Sequence, residues 1–296
     1  MHGPAGYVGG VVRATIVRAT IDRATTGCQQ HSIDVLILSG GGFQGLTILK
    51  ELIKISGTEV FIADIYEENV TKYFTAHYSV FPKISDPSFL SHLDNFVKEN
   101  KIGLVIPSTA YELEILSKHK AKATYRIAVS SPEIIELFSG KKSSYDYLKK
   151  NKFPVLPVFD PSVISEKDLP VIVKSDKGFG GKGISFLKTS AELHLWKEQT
   201  ENKSDFILQK YLDEFKEFSA DFAIDENGAV SDVNLRVRLR QSGGFAVVME
   251  NEMDQPVLHS IAAFAKKIAA VRPYRRYAMA AQCCQAAQRC HQLLAP

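Results

Sequence analysis

The 296-residue sequence predicts an α/β protein with a Rossmann-like unit followed by an α+β unit. Between residues 33 and 138, short apolar runs alternate with helical segments, which favours a parallel sheet with right-handed crossovers. Between residues 139 and 270, the strands are interrupted by glycines and crossed by few helices, which favours antiparallel pairing. The composition, 45% hydrophobic and 23% charged, excludes a disordered chain and allows a sizeable core.

The formal charge of +3 is distributed unevenly. Residues 33–270 contain 29 basic and 32 acidic residues and no cysteine, whereas residues 1–32 and 271–296 hold seven of the eleven arginines and all four cysteines. We interpret residues 1–32 as a disordered, non-native extension and residues 271–296 as an aberrant tail that follows a loss of reading frame. The slightly acidic body predicts neither nucleic-acid nor membrane binding, and its lack of cysteine predicts a cytoplasmic protein.

In the first unit, each predicted strand is a short apolar run of the kind that parallel sheets bury on both faces. These strands are expected at residues 33–38, 59–64, 102–107 and 127–129. Leucine and isoleucine at helical spacing predict helices near residues 46–53, 88–100 and 112–119. In the second unit, helices are expected at 141–151 and 255–270, and strands at 170–174, 184–187, 206–212, 218–224, 230–239 and 245–249.

The first predicted strand runs into the glycine-rich turn Gly40-Gly41-Gly42-Phe43-Gln44-Gly45, and Asp64 follows about twenty residues later. This spacing matches the dinucleotide fingerprint, in which glycines let the backbone approach a pyrophosphate at a helix N-terminus. Two interpretations remain open. The turn serves a nucleotide-dependent oxidoreductase, or it is a tight strand-to-helix connection that binds no nucleotide.

A second glycine-rich loop, residues 177–183, lies between two predicted strands and has four glycines in seven residues. Lys174, Lys177 and Lys182 stand in or beside it. Backbone N–H groups and ammonium groups over phosphates are typical of a flexible lid on a triphosphate. A plain hairpin turn needs only one or two glycines, so we favour the lid.

Arg236, Arg238 and Arg240 alternate on a predicted strand, which is expected to place all three on one face. The guanidinium group offers a planar fork for phosphate or carboxylate, and its concentration in a lysine-rich body favours a binding role. A solvated or salt-bridged edge strand is the alternative. No spacing of histidine, cysteine or acidic residues predicts a metal site.

Taken in order, six segments resemble the ATP-grasp superfamily, most closely the carbamoyl-phosphate synthetase large-chain type of carboxylate–amine ligase. They are SGGGFQG, IPSTAYELEIL, SGKKSSYDYLKKNKFPVLP, PVIVKSDKGFGGKGI, FILQKYLDEFKEFSADF and NLRVRLRQSGGF. The resemblance covers residues 33–270. It implies a pre-ATP-grasp domain at residues 33–138 and an incomplete ATP-grasp domain at residues 139–270.

The resemblance also implies site residues, position by position. Lys141 and Lys174 would contact the α- and β-phosphates, and Gly178, Gly180, Gly181 and Lys182 would form the phosphate lid. Gln209, Tyr211 and Leu212 would line the adenine pocket, and Glu217 would bind the ribose hydroxyls. Arg236 and Arg238 would face the γ-phosphate or the acyl phosphate as catalytic residues. The family usually has Asp before its first basic residue, where this chain has Gly140.

The implied reaction uses ATP to activate a small carboxylate as an acyl phosphate, which an amine then attacks. The family uses Mg²⁺, bound by Gln or Glu on one strand and Glu-x-Asn on the next, whereas residues 271–296 contain no Glu, Asp or Asn. Because Mg²⁺ prefers oxygen ligands, we expect no Mg²⁺ site and little turnover from this chain. The resemblance allows a homodimer. The oxidoreductase and a non-catalytic nucleotide-binding module remain as alternatives.

Overall fold

The computed structural model describes residues 33–177, 184–224, 228–242, 245–270 and 279–283, with the backbone alone for residues 241–242, 245–246 and 279–283. The predicted extension, residues 1–32, lies outside the described residues. So do the four predicted lid residues Gly178, Gly180, Gly181 and Lys182, and most of residues 271–296. The described residues divide into two compact units. The first contains residues up to Ile135 with Asp221–Asp232 and Ala265–Gln282, and the second contains Glu136–Ala220 and Val233–Phe264.

The first unit is built on a five-stranded parallel sheet with the order β3-β2-β1-β4-β5. Its strands are β1 (Val35–Leu38), β2 (Val60–Asp64), β3 (Tyr78–Val80), β4 (Leu104–Pro107) and β5 (Arg126–Ile127). Val35 is in register with Val60 on one side and with Leu104 on the other. β1 therefore lies at the centre of the sheet, as its continuous apolar run predicts.

Helices flank this sheet and bury both of its faces. They are α1 (Phe43–Leu52), α2 (Phe89–Glu99), α3 (Leu113–His119) and α4 (Pro132–Ser139), with short 3-10 helices at Val70–Tyr73 and Ala110–Glu112. Successive residues of a strand point to opposite faces. Accordingly, one core cluster contains Val35, Ile37, Ile48, Leu49, Leu52, Val60 and Ile62. The other contains Leu36, Leu38, Leu93, Val97, Leu116 and Ile127.

In the glycine-rich turn, the backbone of Gly45 lies very close to the backbone of Gly40. A Cβ at Gly45 would lie 2.3 Å from the carbonyl oxygen of Gly40 and 2.4 Å from its Cα. We expect Gly45→Ala to lower the free energy of unfolding of the first unit by about 2 kcal/mol, because backbone atoms cannot move aside as a side chain can. Denaturant unfolding measures this.

Gly42→Ala is the matched control in the same turn. Gly42 has φ −75°, and its added Cβ would come no closer than 3.8 Å to the Ser39 carbonyl oxygen. We expect its unfolding midpoint to match that of the parent chain. Equal effects of the two substitutions would contradict the close approach at Gly45.

The second unit contains a four-stranded antiparallel sheet with the order β6-β9-β7-β8. Its strands are β6 (Val158–Phe159), β7 (Val171–Ser175), β8 (Ser185–Leu187) and β9 (Phe206–Lys210). Helices α5 (Lys141–Lys150) and α6 (Ser190–Gln199) and 3-10 helices Glu166–Asp168 and Lys203–Asp205 accompany it. Val171, Val173 and Leu208 form a core with Ile164, Leu187 and Leu193. This core covers one face of β7 and β9, and the residues between them on each strand point to the opposite face.

A third sheet has the order β12-β11-β10-β13, and helix α7 (Gln255–Ala269) follows β12 in the chain. Its strands are β10 (Phe218–Ile224), β11 (Asn234–Ser242), β12 (Phe245–Asn251) and β13 (Met279–Cys283). The strand that we predicted at residues 230–239 begins at Asn234, because Val230 makes only an isolated bridge to Ile224. The register between β11 and β12 shifts between Arg238 and Arg240. None of the described helices is long and apolar enough to cross a membrane.

Candidate functional site

One face of β7 and β9 carries two residues, Lys174 and Gln209, to which the family resemblance gives roles in binding phosphate and the adenine base. Lys174 and Ile172 lie two residues apart on β7, and Gln209 of β9 is directly opposite Ile172. Because side chains alternate along a strand, and opposite residues of an antiparallel pair share a face, these three residues lie together. The buried valines on the other face fix this orientation.

Lys174 is a largely desolvated cation. Its Nζ donates a hydrogen bond to Gln209 Oε1 at 2.9 Å. The pKa of Lys174 is lowered to about 8, mainly by burial and also by the positive charge of Lys141, while the negative charge of Glu217 acts in the opposite direction. An ammonium group that has lost water and faces a second cation is stabilised by an incoming anion.

Gln209 connects Lys174 to Tyr145, which none of the sequence motifs indicated. Gln209 is 1% exposed, and its Nε2 donates to the hydroxyl oxygen of Tyr145 at 2.5 Å. Burial raises the pKa of Tyr145, so its hydroxyl stays neutral. Since an ammonium group only donates, the Gln209 carbonyl oxygen faces Lys174 and its nitrogen faces Tyr145. Tyr145 follows Lys141 by four residues on α5, and this helical spacing is a signal that could have found it.

Lys141 begins α5 and also points toward the end of β7. Its Nζ donates to the carbonyl oxygen of Ser175 at 2.7 Å and to that of Asp176 at 3.3 Å. Burial lowers the pKa of Lys141, and the charge of Asp176 partly offsets this. The electrostatic coupling between Lys141 and Lys174 means that two partly desolvated ammonium groups lie in one region.

Asp176, also missed in the sequence, occupies the N-terminus of α5. Its Oδ1 accepts a hydrogen bond from the backbone N–H of Lys142 at 2.7 Å, which satisfies one of the free amides of the first turn. A Cβ at Gly140 would lie 3.2 Å from Asp176 Oδ2. An aspartate at position 140 would therefore bring a second carboxylate close to that of Asp176.

Next to this polar face is a mostly apolar cavity of about 200 Å³. It is lined by Leu156, Ile172, Phe186, Lys210, Tyr211, Leu212 and Phe215. The Phe186 and Tyr211 rings meet edge to face with centroids 5.3 Å apart, and Lys188 Nζ lies 5.5 Å from the Tyr211 centroid. Lys210 turns its ammonium group toward the carbonyl oxygens of residues 168 and 169. An apolar, aromatic cavity with few polar groups suits a planar base.

The structure refines the predicted role of Tyr211. Its backbone N–H donates to the carbonyl oxygen of Pro170 at 3.1 Å, so this group is already engaged within the protein. The resemblance to the ATP-grasp superfamily also implies that the backbone of Tyr211 and Leu212 reads the base edge. Of these groups, the Tyr211 N–H holds the segment against β7 instead.

The three arginines of β11 occupy different environments. Arg236 is 2% exposed, and its Nη1 lies 3.3 Å from Met249 Sδ. Arg238 forms an ion pair with Glu217, with 2.9 Å between Nη1 and Oε1. Arg240 lies beyond the register shift and is exposed. The expectation that all three lie on one face is therefore wrong for Arg240, because the irregular pairing breaks the strand alternation.

In the first unit, the backbone N–H groups of the glycine-rich turn donate hydrogen bonds to acceptors within the protein. The N–H of Gly40 donates to the Ala63 carbonyl oxygen at 3.0 Å, that of Gly41 to Asp64 Oδ2 at 2.8 Å, and that of Gly42 to the Ser39 carbonyl oxygen at 3.4 Å. The Asn69 side chain also lies within 1.6 Å of the position that a Gly41 Cβ would take. The amides that a pyrophosphate would need already have acceptors.

Comparisons with family models match two separate parts of the chain. Residues 35–129 match the family model "PylC-like, N-terminal domain", and residues 161–243 match "Carbamoyl-phosphate synthase L chain, ATP binding domain". A comparison with curated proteins finds no match.

Among solved structures, the chain is similar to a Campylobacter jejuni biotin carboxylase bound to an ATP analogue, with a TM-score of 0.66 at 18% identity. It is also similar to an ADP-bound Staphylococcus aureus N5-carboxyaminoimidazole synthetase, with a TM-score of 0.59 at 18% identity. A Bacillus licheniformis L-amino acid ligase gives a TM-score of 0.58 at 13% identity. These matches cover 81%, 83% and 81% of this chain but only 60%, 65% and 62% of those proteins, respectively.

The predicted fold class, a Rossmann-like parallel unit followed by an α+β unit with antiparallel sheets, is confirmed by the sheets and by these structural similarities. The resemblance found in the sequence is confirmed by the two family models, which match successive parts of the chain. Residues 161–243 are therefore similar to the ATP-binding domain of the carbamoyl-phosphate synthase large chain, which is the ATP-grasp likeness that the sequence motifs indicated.

Proposed function

We propose that the chain carries the nucleotide site of an ATP-dependent carboxylate–amine ligase. The observation that carries this proposal is the shared face of β7 and β9, where Lys174 and Gln209 lie beside the apolar cavity that contains Ile172. A desolvated cation next to a cavity for a planar base is what a nucleoside phosphate requires. The solved relatives with bound ATP analogue or ADP support the choice of nucleotide.

In this proposal, Lys141 and Lys174 bind the α- and β-phosphates, and Gln209, Tyr211 and Leu212 line the adenine pocket. Glu217 binds the ribose hydroxyls, and Arg236 faces the transferring phosphate. The lid role of Gly178, Gly180, Gly181 and Lys182 stays a prediction from the sequence. The domain division at residues 33–138 and 139–270 and a homodimeric, cytoplasmic protein belong to the same proposal.

The proposed chemistry transfers the γ-phosphoryl group of ATP to a carboxylate oxygen, with ADP as the leaving group. The nitrogen of an amine then attacks the carbonyl carbon, phosphate leaves, and the nitrogen loses a proton. The protein contributes positioning and electrostatic stabilisation, and needs no covalent nucleophile. The solved relatives include an L-amino acid ligase and a biotin carboxylase, which supports a carboxylate as one substrate.

The Mg²⁺ that the family implies does not fit the residues that the structure describes. Within those ranges, no group of three or more His, Cys, Asp or Glu could hold a metal ion. Mg²⁺ is usually bound by one or two carboxylates together with substrate phosphates. A nucleotide-binding module with little catalytic activity is the second candidate, because residues 271–296 contain no Glu, Asp or Asn for the family's Glu-x-Asn pattern.

The oxidoreductase alternative is not favoured. It would need the glycine-rich turn of the first unit, whose amides donate to Ala63, Asp64 and Ser39. Asp64, which would have to bind a ribose, accepts from the Gly41 and Tyr66 amides through its two oxygens. A dinucleotide would have to displace both sets of contacts.

Titration calorimetry of the 296-residue chain with ATP and with NADH tests the proposal. We expect ATP to bind and NADH to give no heat of binding. We also expect phosphate release from ATP, in the presence of Mg²⁺ and mixed carboxylates and amines, to stay at the rate measured without protein. NADH binding without ATP binding would overturn the proposal, and Mg²⁺-dependent turnover would overturn the predicted lack of activity.

A further inference from the structure

Arg238 and Glu217 form an ion pair that is largely removed from water. The side chains are 6% and 12% exposed, and Arg238 Nη1 lies 2.9 Å from Glu217 Oε1. A buried pair of this kind holds both side chains in one geometry, because breaking it leaves a charge without its partner in a medium of low polarity.

The backbone reinforces this pair. The N–H of Arg238 donates to the carbonyl oxygen of Glu217 at 2.9 Å, so the start of β10 and the middle of β11 are held side by side at these two residues. The side chains therefore meet across a fixed register rather than through flexible loops.

Glu217 also lies in the electrostatic field of the phosphate-binding lysines. Its negative charge raises the pKa of Lys174, against the larger opposing effect of burial. Lys174 nevertheless makes its hydrogen bond to the neutral Gln209, while Glu217 pairs with Arg238. Among the described residues, the hydrogen bond of Lys174 goes to an amide oxygen and not to a carboxylate, so an incoming phosphate would not have to displace a carboxylate.

We propose that Arg238 is a positioning residue of the nucleotide site, which holds Glu217 in place for the ribose hydroxyls instead of contacting the γ-phosphate. This assignment rests on the proposed ATP site and deepens it. It gives the two buried arginines of β11, Arg236 and Arg238, different roles. Arg236, whose Nη1 lies 3.3 Å from Met249 Sδ, keeps the phosphate-facing role.

The test compares three nucleotides in binding to the 296-residue chain by calorimetry: ATP, ADP and 2′,3′-dideoxy-ATP. If Arg238 acts through Glu217, Arg238→Met weakens ATP and ADP by the same factor, about tenfold for one hydrogen bond to a charged group. Dideoxy-ATP, which lacks both hydroxyls, binds the parent chain and the variant equally. Glu217→Gln gives the same pattern.

Two further variants separate positioning from general damage. The double variant Arg238→Met with Glu217→Gln is expected to bind ATP no more weakly than either single variant, because both changes remove one interaction. Arg240→Met is the matched control, since Arg240 is an exposed arginine on the same strand. It is expected to bind all three nucleotides like the parent chain.

Different results overturn different statements. If Arg238→Met weakens ATP but leaves ADP unchanged, Arg238 contacts the γ-phosphate and the positioning role is wrong. If it weakens all three nucleotides equally, it disturbs the whole site and the role is also wrong. If the parent chain binds none of them, the proposed function itself fails. Should Arg238→Met not fold, Arg238→Lys replaces it, and the same comparison between ATP and dideoxy-ATP decides.

Discussion

Replacing Lys174 with methionine is expected to weaken ATP binding by about a hundredfold, which corresponds to about 3 kcal/mol for a hydrogen bond to a charged group. Lys174 is a desolvated cation beside the apolar cavity, and its only hydrogen bond described here is to the neutral Gln209. A phosphate would replace this weak partner with an ion pair. Calorimetry with ATP measures the loss.

Lys167→Met provides the control, because Lys167 is an exposed lysine of the same unit, in the 3-10 helix Glu166–Asp168. Its ATP affinity is expected to equal that of the parent chain. Lys174→Arg keeps the positive charge and is expected to recover part of the affinity. Unchanged affinity in Lys174→Met, with a native circular dichroism spectrum, would remove Lys174 from the site.

Raising the pH is expected to stabilise the second unit through the same lysine. Folding lowers the pKa of Lys174 from 10.5 to about 8. Below pH 8 the folded state carries a buried charge, and its cost is present in full. As the pH rises from 8 to 10.5, the folded state loses the proton first, so stability increases by up to about 3 kcal/mol.

Other groups titrate in this range, and Lys174→Met isolates the contribution of Lys174. We expect the difference in unfolding free energy between the parent chain and Lys174→Met to shift in favour of the parent as the pH rises from 8 to 10. Urea unfolding at each pH measures it. A difference that stays constant over this range would mean that Lys174 is not desolvated in the folded state.

Much of the fold can be predicted from the sequence, because its strands are short apolar runs at a regular spacing from helices. The central position of β1 follows from its continuous burial, and the placement of Lys174 next to Gln209 follows from two alternating strands. The family match extended this to residue roles, and those roles stay predictions.

Other features depended on contacts that no local pattern contains. The separation of Arg240 from Arg236 and Arg238 results from an irregular register with β12, and register is set by the pairing of whole strands. The pair between Arg238 and Glu217 joins residues 21 positions apart, and it requires the same register to be known.

The start of α5 has Gly140 where the family usually has Asp, and its carboxylate comes from Asp176 instead. This arrangement has an evolutionary consequence. One carboxylate is enough for the N-terminus of this helix, and here Asp176 supplies it from the end of β7. Gly140 leaves room for that carboxylate. Positions 140 and 176 should therefore covary among homologues: a lineage that gains an acid at position 140 is expected to lose the one at position 176, and the two substitutions should compensate each other.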